Sequence, residues 1–220
     1  MMHGHPLQNK TCPLCESRTP RLFYQDKHRD YFRCQNCLLI FVLQQQHISH
    51  DEELAEYQRH HNDPNDPGYR QFLSRLAAPL HQRLAPASHG LDFGSGPGPT
   101  LSHLLSEQGH HMVLYDPFFA PDTHVLGSIY DFITASEVVE HLRHPRRELE
   151  RLWSLLRPGG WLGIMTKLAL DAEAFSRWHY KNDRTHILFF STTTFEWLAD
   201  HWQAHLMFVG KDVILLQKKA

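Results

Sequence analysis

No uninterrupted apolar run of about eighteen residues occurs in this chain of 220, so a conventional membrane-spanning helix is excluded. The start, Met1-Met2-His3-Gly4-His5-Pro6, lacks the charged-then-apolar order of a secretory leader, and a soluble, cytoplasmic protein without a membrane partner is expected. An excess of charge of one sign is missing too. Lysine and arginine number 22 against 24 aspartates and glutamates, which gives no general pull toward nucleic acid. Arg143, Arg146, Arg147, Arg151 and Arg157 gather positive charge in one stretch, which reads as a solvated helix face. Cysteine is absent beyond position 37. With 41% hydrophobic side chains, the chain can bury one main core and a small appendage.

What is present begins with those cysteines. Cys12-Pro-Leu-Cys15 and Cys34-Gln-Asn-Cys37 have the two-knuckle spacing of a zinc ribbon, in which each tight turn offers two thiolates to one ion. Four thiolates leave no open coordination position, so such a Zn²⁺ is structural; it stabilises a segment too small to hold a core by itself. A pair of disulfides is the competing reading, disfavoured in a reducing compartment. Arg21–Tyr24, Asp30–Arg33 and Leu38–Leu43 read as three short strands of the ribbon. Composition shifts near residue 50, which suggests a ribbon domain over 1–50, a helical connector or lid over 51–87 and a main domain over 88–220. Turn formers at 63–68 interrupt the connector. Nineteen histidines, including the pairs His60-His61 and His110-His111, mostly lack ligand spacing and read as surface residues.

From residue 90 onward apolar runs alternate with helical stretches. Strands are predicted at 91–93, 112–115, 132–135 and 162–166, and helices near 99–108, 145–156 and 192–202. A final hairpin, 205–209 and 212–217, turns at Gly210-Lys211. The expected fold is therefore α/β: a Rossmann-like, mostly parallel sheet ending in an antiparallel hairpin.

The stretch Asp92-Phe-Gly94-Ser95-Gly96-Pro-Gly98 lies where the first strand of that sheet gives way to a helix, and its glycines let a ligand approach the backbone. Asp116 closes the second strand, where an acid can accept from both hydroxyls of a ribose. Dinucleotide dehydrogenases share both features. Two further segments, Phe132 to Leu142 and Leu156-Arg-Pro158-Gly159-Gly160-Trp-Leu162, distinguish the cases. With the glycine loop they resemble class I S-adenosylmethionine-dependent methyltransferases over about residues 88 to 217. The resemblance implies that Asp92, Gly94, Ser95, Gly96 and Gly98 hold the methionine part of S-adenosylmethionine and Asp116 its ribose. The stretch 134–137, with Ser136, borders the transferred methyl group, and Pro158-Gly159-Gly160 turns a helix into the fifth strand. Only residues 117–130 stand where the family has a helix and a third strand. Gly127, Ser128 and Ile129, which precede the fourth strand, are the adenine candidates by position.

Glu137, Glu140 and His141 are spaced i, i+3 and i+4, so one helical turn would put all three on one face, and His186 follows the fifth strand. The set resembles the metal site of small-RNA 3′-terminal 2′-O-methyltransferases and is similar to ubiquinone-pathway O-methyltransferases. A second divalent metal there would lower the pKa of an acceptor hydroxyl; without one, His141 or His186 would act as general base. Braces of a helix and pocket are the plainer reading of the same residues. Trp178, His179 and Tyr180 are candidates for an acceptor pocket or for core, and Tyr69 and Arg70 for the cofactor carboxylate or for surface. The function expected is methylation of a small-molecule hydroxyl. The alternatives are an RNA methyltransferase gripping RNA with its ribbon, a non-catalytic cofactor-binding or interaction module, and a dehydrogenase. Arg18, Arg21, Lys27, Arg29 and Arg33 are partly offset by Glu16, Asp26 and Asp30, which weakens the RNA alternative.

Overall fold

The computed structural model describes residues 10–59 and 63–220; the chain start and the His60-His61 pair lie outside them. Strands β1 (Arg21–Gln25), β2 (Asp30–Arg33) and β3 (Ile40–Val42) form the ribbon, and two helices follow, α1 (His50–Tyr57) and α2 (Pro67–His81). The main domain then runs β4 (His89–Phe93), α3 (Thr100–Glu107), β5 (His111–Tyr115), β6 (Tyr130–Ser136), α4 (Pro145–Ser154) and β7 (Leu156–Met165). It closes with α5 (Ala172–Ser176), β8 (Leu188–Phe189), α6 (Thr192–Trp202), β9 (His205–Val209) and β10 (Val213–Gln217).

Local chemistry sets the helix ends. Ser49 and Glu52 make a reciprocal capping box at α1, as Ser191 and Thr194 do at α6. Asp66 caps α2 with Pro67 at its first position. The α2 stripe Leu73, Leu76, Ala77 and Leu80 is buried, and at Gly163 of β7 an added Cβ would sit 3.0 Å from Leu76, so the helix lies directly on the strand. On α4, Leu149 and Leu152 turn inward. Each arginine in the 143–157 stretch meets a carboxylate: Glu53 for Arg143, Glu16 and Glu150 for Arg146, Glu148 for Arg147 and Arg151, and Asp131 for Arg157.

Six strands build the main sheet in the order β5-β4-β6-β7-β10-β9. The first four are parallel, and β10 is antiparallel to both neighbours. The parallel sheet and closing hairpin are those expected. The third strand of the family is missing as anticipated: Asp116 bridges to Ala120, a 3-10 helix fills Thr123–Gly127, and β5 is left at the sheet edge.

Three expectations are corrected. The ribbon does not end at residue 50, because β8 joins its sheet to give β1-β2-β3-β8, with Ile40 opposite Phe189 and Phe41 opposite Leu188. Ribbon and main domain accordingly share one continuous core, including Tyr31, Phe41, Phe175 and Phe189. The Pro158-Gly159-Gly160 segment lies within β7 rather than before it. Tyr130 pairs with Leu156 and Phe132 with Trp161, so the intervening residues bulge out with Gly159 at φ +80°. Finally, His110 is buried, with its ring 2.9 Å from the Nδ1 of His81.

Candidate active site

The glycine loop leaves the C-terminal end of β4 with Gly94 at φ +76° and Gly96 at φ +64°, a backbone region that side chains rarely adopt. An added Cβ at Gly94 would lie 2.4 Å from a Val138 methyl, so space and conformation both demand glycine. The N–H groups of Gly94 and Ser95 donate to the Tyr115 carbonyl at 2.7 and 3.3 Å. Asp116 ties the loop to the next strand, its carboxylate accepting from the N–H of Gly96 (2.9 Å), Phe118 (2.8 Å) and Phe119 (3.0 Å). Asp92 sits beneath the loop, fully enclosed, accepting from Ser102 and Thr134 at 2.8 Å each. Burial raises its carboxyl above the ordinary value, against the pull of those two hydroxyls.

A cavity of about 670 Å³ opens over this loop. One end is walled by Gly94, Ser95, Gly96 and Asp116, and the other by His141, Asp183 and His186. Tyr57 of α1, Tyr69 of α2 and Phe118 complete it, so both connector helices contribute to the wall of the cavity. Tyr57 packs edge-on to His141 and to Phe118, and its hydroxyl donates to Glu53 at 2.9 Å. Burial first, then the Glu53 charge, raises the Tyr57 phenol, which keeps it a neutral donor. Among the described residues, the Ser95 and Ser136 hydroxyls and one oxygen of Glu137 are buried without a hydrogen-bond partner. All three residues line the cavity. Orphaned polar groups are costly in a folded protein, so the cavity fits a ligand with donors and acceptors of its own. S-adenosylmethionine has both.

At the far end, the Nδ1 of His186 lies 2.7 Å from the Tyr180 carbonyl and that of His141 lies 3.1 Å from the Thr185 carbonyl. A carbonyl only accepts, so in its neutral form each ring carries its proton on Nδ1 and its lone pair on Nε2. Burial lowers the pKa of His186 and keeps it neutral, while Asp183 lies 3.6 Å from its Nε2. Glu140 is wholly buried, accepting from Thr166 at 3.1 Å and from the Tyr180 hydroxyl. Burial, and then the neighbouring Glu137 charge, raises its carboxyl well above the ordinary range.

The expected convergence is partial. Ligand atoms of Glu140, His141 and His186 lie within 4.8 Å of one another, but Glu137 is outside that group. The residue holds a left-handed backbone at φ +52°, and helical geometry starts only with the 3-10 turn Val139–His141, so the three side chains do not share one helix face. Ser136, Glu137, Gly94, Ser95, Gly96 and Asp116 line the cavity; Asp92 and Gly98 do not, the Gly98 carbonyl accepting from Thr100 at the start of α3. Ser128 and Ile129 do not reach the cavity, and Ile129 is 56% exposed. Strand polarity explains this: β4 and β6 are parallel, so residues before β6 emerge at the edge opposite the glycine loop. Tyr69 lines the cavity, whereas Arg70 turns away to Glu107. Tyr180 packs against Trp178 and Phe189 as core. Sequence reasoning passed over Tyr57, Glu53 and Phe118, although the aromatic pair Phe118-Phe119 just past Asp116-Pro117 was a usable signal.

The thiols of Cys12, Cys15, Cys34 and Cys37 lie within 4.8 Å of one another. The Cys12–Cys37 and Cys15–Cys34 sulfurs are 3.6 and 3.4 Å apart, too far for a disulfide. They fit the edges of a tetrahedron of about 3.8 Å that Zn–S bonds of about 2.3 Å would make. The Cys37 thiol, hydrogen-bonded to Cys12, helps hold the Cys12 pKa down at about 6. The donor set thus fits a closed zinc site.

A glycine loop and terminal acid over a cavity, on a parallel sheet with one antiparallel strand, define a nucleotide-cofactor enzyme of methyltransferase type. Residues 60–204 match a family described as a methyltransferase domain. The chain belongs to that family and is a class I S-adenosylmethionine-dependent methyltransferase. No curated protein sequence matches it. Its fold is similar to that of 1,6-didemethyltoxoflavin N1-methyltransferase from Burkholderia thailandensis, solved with 1,6-didemethyltoxoflavin and S-adenosylhomocysteine bound. The two are 16% identical with a TM-score of 0.51, over 91% of this chain and 99% of that one. The PH0226 protein of Pyrococcus horikoshii is also similar: 16% identity and a TM-score of 0.50 over 76% of this chain and 99% of that one.

Proposed function

We propose that the enzyme methylates a hydroxyl of a small molecule, with the methionine end of the cofactor over Gly94 to Pro97, its ribose at Asp116, and the acceptor beside His141 and His186. The observation carrying this reading is the single cavity that joins the glycine loop to the two histidines. Its size lies within the range of about 300–1,000 Å³ usual for small-molecule sites. The paired arginines of the 143–157 stretch leave no basic stripe, which favours a small acceptor over RNA.

When bound, S-adenosylmethionine supplies a methyl group on a cationic sulfonium, a good leaving group. The chain aligns the acceptor and manages one proton. Nδ1 of His186 is committed to the Tyr180 carbonyl, so Nε2 takes the hydroxyl proton as the new O–C bond forms and the S–C bond breaks. Asp183, beside that nitrogen, steadies the imidazolium until the proton passes to water.

A second reading is favoured by the clustering of Glu140, His141 and His186: a divalent cation there would polarise the hydroxyl in place of a direct proton transfer. The test is methyl transfer from labelled S-adenosylmethionine to a pool of hydroxylated metabolites. His186→Ala is expected to lose turnover by about 10²-fold or more with unchanged affinity for S-adenosylhomocysteine; unchanged turnover would refute the assignment. Metal content decides the second reading. One zinc per chain, lost in Cys37→Ser, with no response to added magnesium or manganese, rules the cation out.

A further inference from the structure

We propose that Arg29, carried by the four-cysteine ribbon, is a positioning residue for methyl transfer, its guanidinium holding the loop that aims His186 into the cavity. This rests on the reading of His186 as the group serving the acceptor.

Arg29 closes the turn between β1 and β2 and is only 6% exposed. Among the described residues no carboxylate pairs with it directly. A buried charge in that position is costly unless its surroundings compensate it. Here the compensation comes from main-chain carbonyls of one distant loop. Nη1 donates to the carbonyls of Arg184 (3.2 Å) and His186 (2.9 Å), and Nη2 to those of Asp183 (3.1 Å) and Lys181. Nε lies 3.3 Å from the Tyr31 hydroxyl, which donates in turn to Asp26 at 2.9 Å. A guanidinium has five N–H groups in a rigid plane, and all five are engaged.

The held segment is the one that bears the chemistry. Residues 181–186 run from the 3-10 turn His179–Asn182 to β8, and they supply the carbonyl that fixes the His141 ring as well as His186 itself. The loop has little regular structure of its own. Four carbonyls converging on one point fix its course, and His186 is oriented both by its own carbonyl on Arg29 and by its Nδ1 on Tyr180. Neither lysine nor a neutral residue reproduces this, since an ammonium offers three donors from a single atom.

The test uses the full chain loaded with S-adenosylhomocysteine. In Arg29→Ala, hydrogen exchange of the Thr185, His186 and Ile187 amides, which are bonded to Asp183 and Glu140, is expected to rise at least about tenfold. Exchange in β4 and β6, zinc content and affinity for S-adenosylhomocysteine should hold. Turnover with the hydroxylated metabolite pool should fall to the level of His186→Ala, and the double variant should be no slower, because both changes remove the same device. Millimolar methylguanidinium should restore part of the Arg29→Ala rate and none of the His186→Ala rate. Unchanged exchange in the loop, or turnover losses that multiply in the double variant, would overturn the proposal. If Arg29→Ala does not fold, Arg29→Lys serves: its loop exchange should still rise, and wild-type exchange refutes the role. Unchanged turnover in His186→Ala, with the loop loosened by Arg29→Ala, overturns the proposed function instead, because the exchange experiment needs no acceptor.

Discussion

Replacing Gly94 by alanine separates two demands on the glycine loop. At φ +76° an L residue costs about 1–2 kcal/mol. The new methyl would also meet the Val138 methyls at 2.4 and 2.9 Å, well inside contact distance, and forced overpacking of this kind costs typically about 1–3 kcal/mol. If the loop relieves both by leaving its bound shape, affinity for S-adenosylhomocysteine should fall by about 2–5 kcal/mol, or between roughly 30-fold and several thousand-fold. Val138→Ala removes the two close methyls and leaves only Cβ, 3.3 Å away. The double variant Gly94→Ala/Val138→Ala should therefore recover the steric share and keep the backbone share, an affinity about tenfold below that of Val138→Ala alone. Isothermal calorimetry of the four proteins measures this cycle. Wild-type affinity in Gly94→Ala, or no recovery in the double variant, would refute the account of the loop.

Three further outcomes are expected. Asp116→Ala frees the Gly96, Phe118 and Phe119 amides and removes the carboxylate proposed to hold the ribose; binding of S-adenosylhomocysteine should weaken at least about tenfold, and equal binding would contradict the proposed role of Asp116. Asp92 is enclosed and its pKa is raised by burial, so its contribution to stability is present below its unfolded value near pH 4 and is lost as pH rises through the folded one. Denaturant titrations at about pH 5 and about pH 8 should show a larger loss in the wild type than in Asp92→Asn, and equal losses would argue against a raised pKa. Cys37→Ser should lose zinc and, because β3 pairs with β8, should lower the thermal midpoint of the whole chain; two separate transitions would refute the shared core.

The main sheet was legible because its signals are local. Apolar runs marked every one of its strands, and the hairpin of β9 and β10 was placed at its turn, where Gly210 has φ +65°. The position of the glycine loop and of Asp116 at the ends of β4 and β5 was legible for the same reason. Errors arose where the deciding partner is remote. Ser128 and Ile129 were placed by proximity to β6, but the direction of the strand sends them to the far edge. Glu137 was assigned to a helical turn from spacing alone, and nothing in Ser136-Glu137-Val138 announces a left-handed residue. The two residues of β8 carry no alternation by which to recognise a strand, and their partner is β3. Arg29 was the least legible, because it is matched by carbonyl groups, which every residue possesses and no sequence pattern reports.

Pairing of β3 with β8 has a consequence for the order of assembly during synthesis. The ribbon, with its four cysteines, leaves the ribosome before the main domain, and its thiols can bind an ion while the glycine loop is still being made. Its sheet nevertheless stays one strand short until most of the chain has been released, leaving the β3 edge open meanwhile. Docking of Leu188 and Phe189 is a contact of long sequence separation and so a slow one. The β3 edge thus stays open until β8 arrives, and the loop that carries His186, which leads into β8, takes its place only after the four cysteines and the glycine loop have been made.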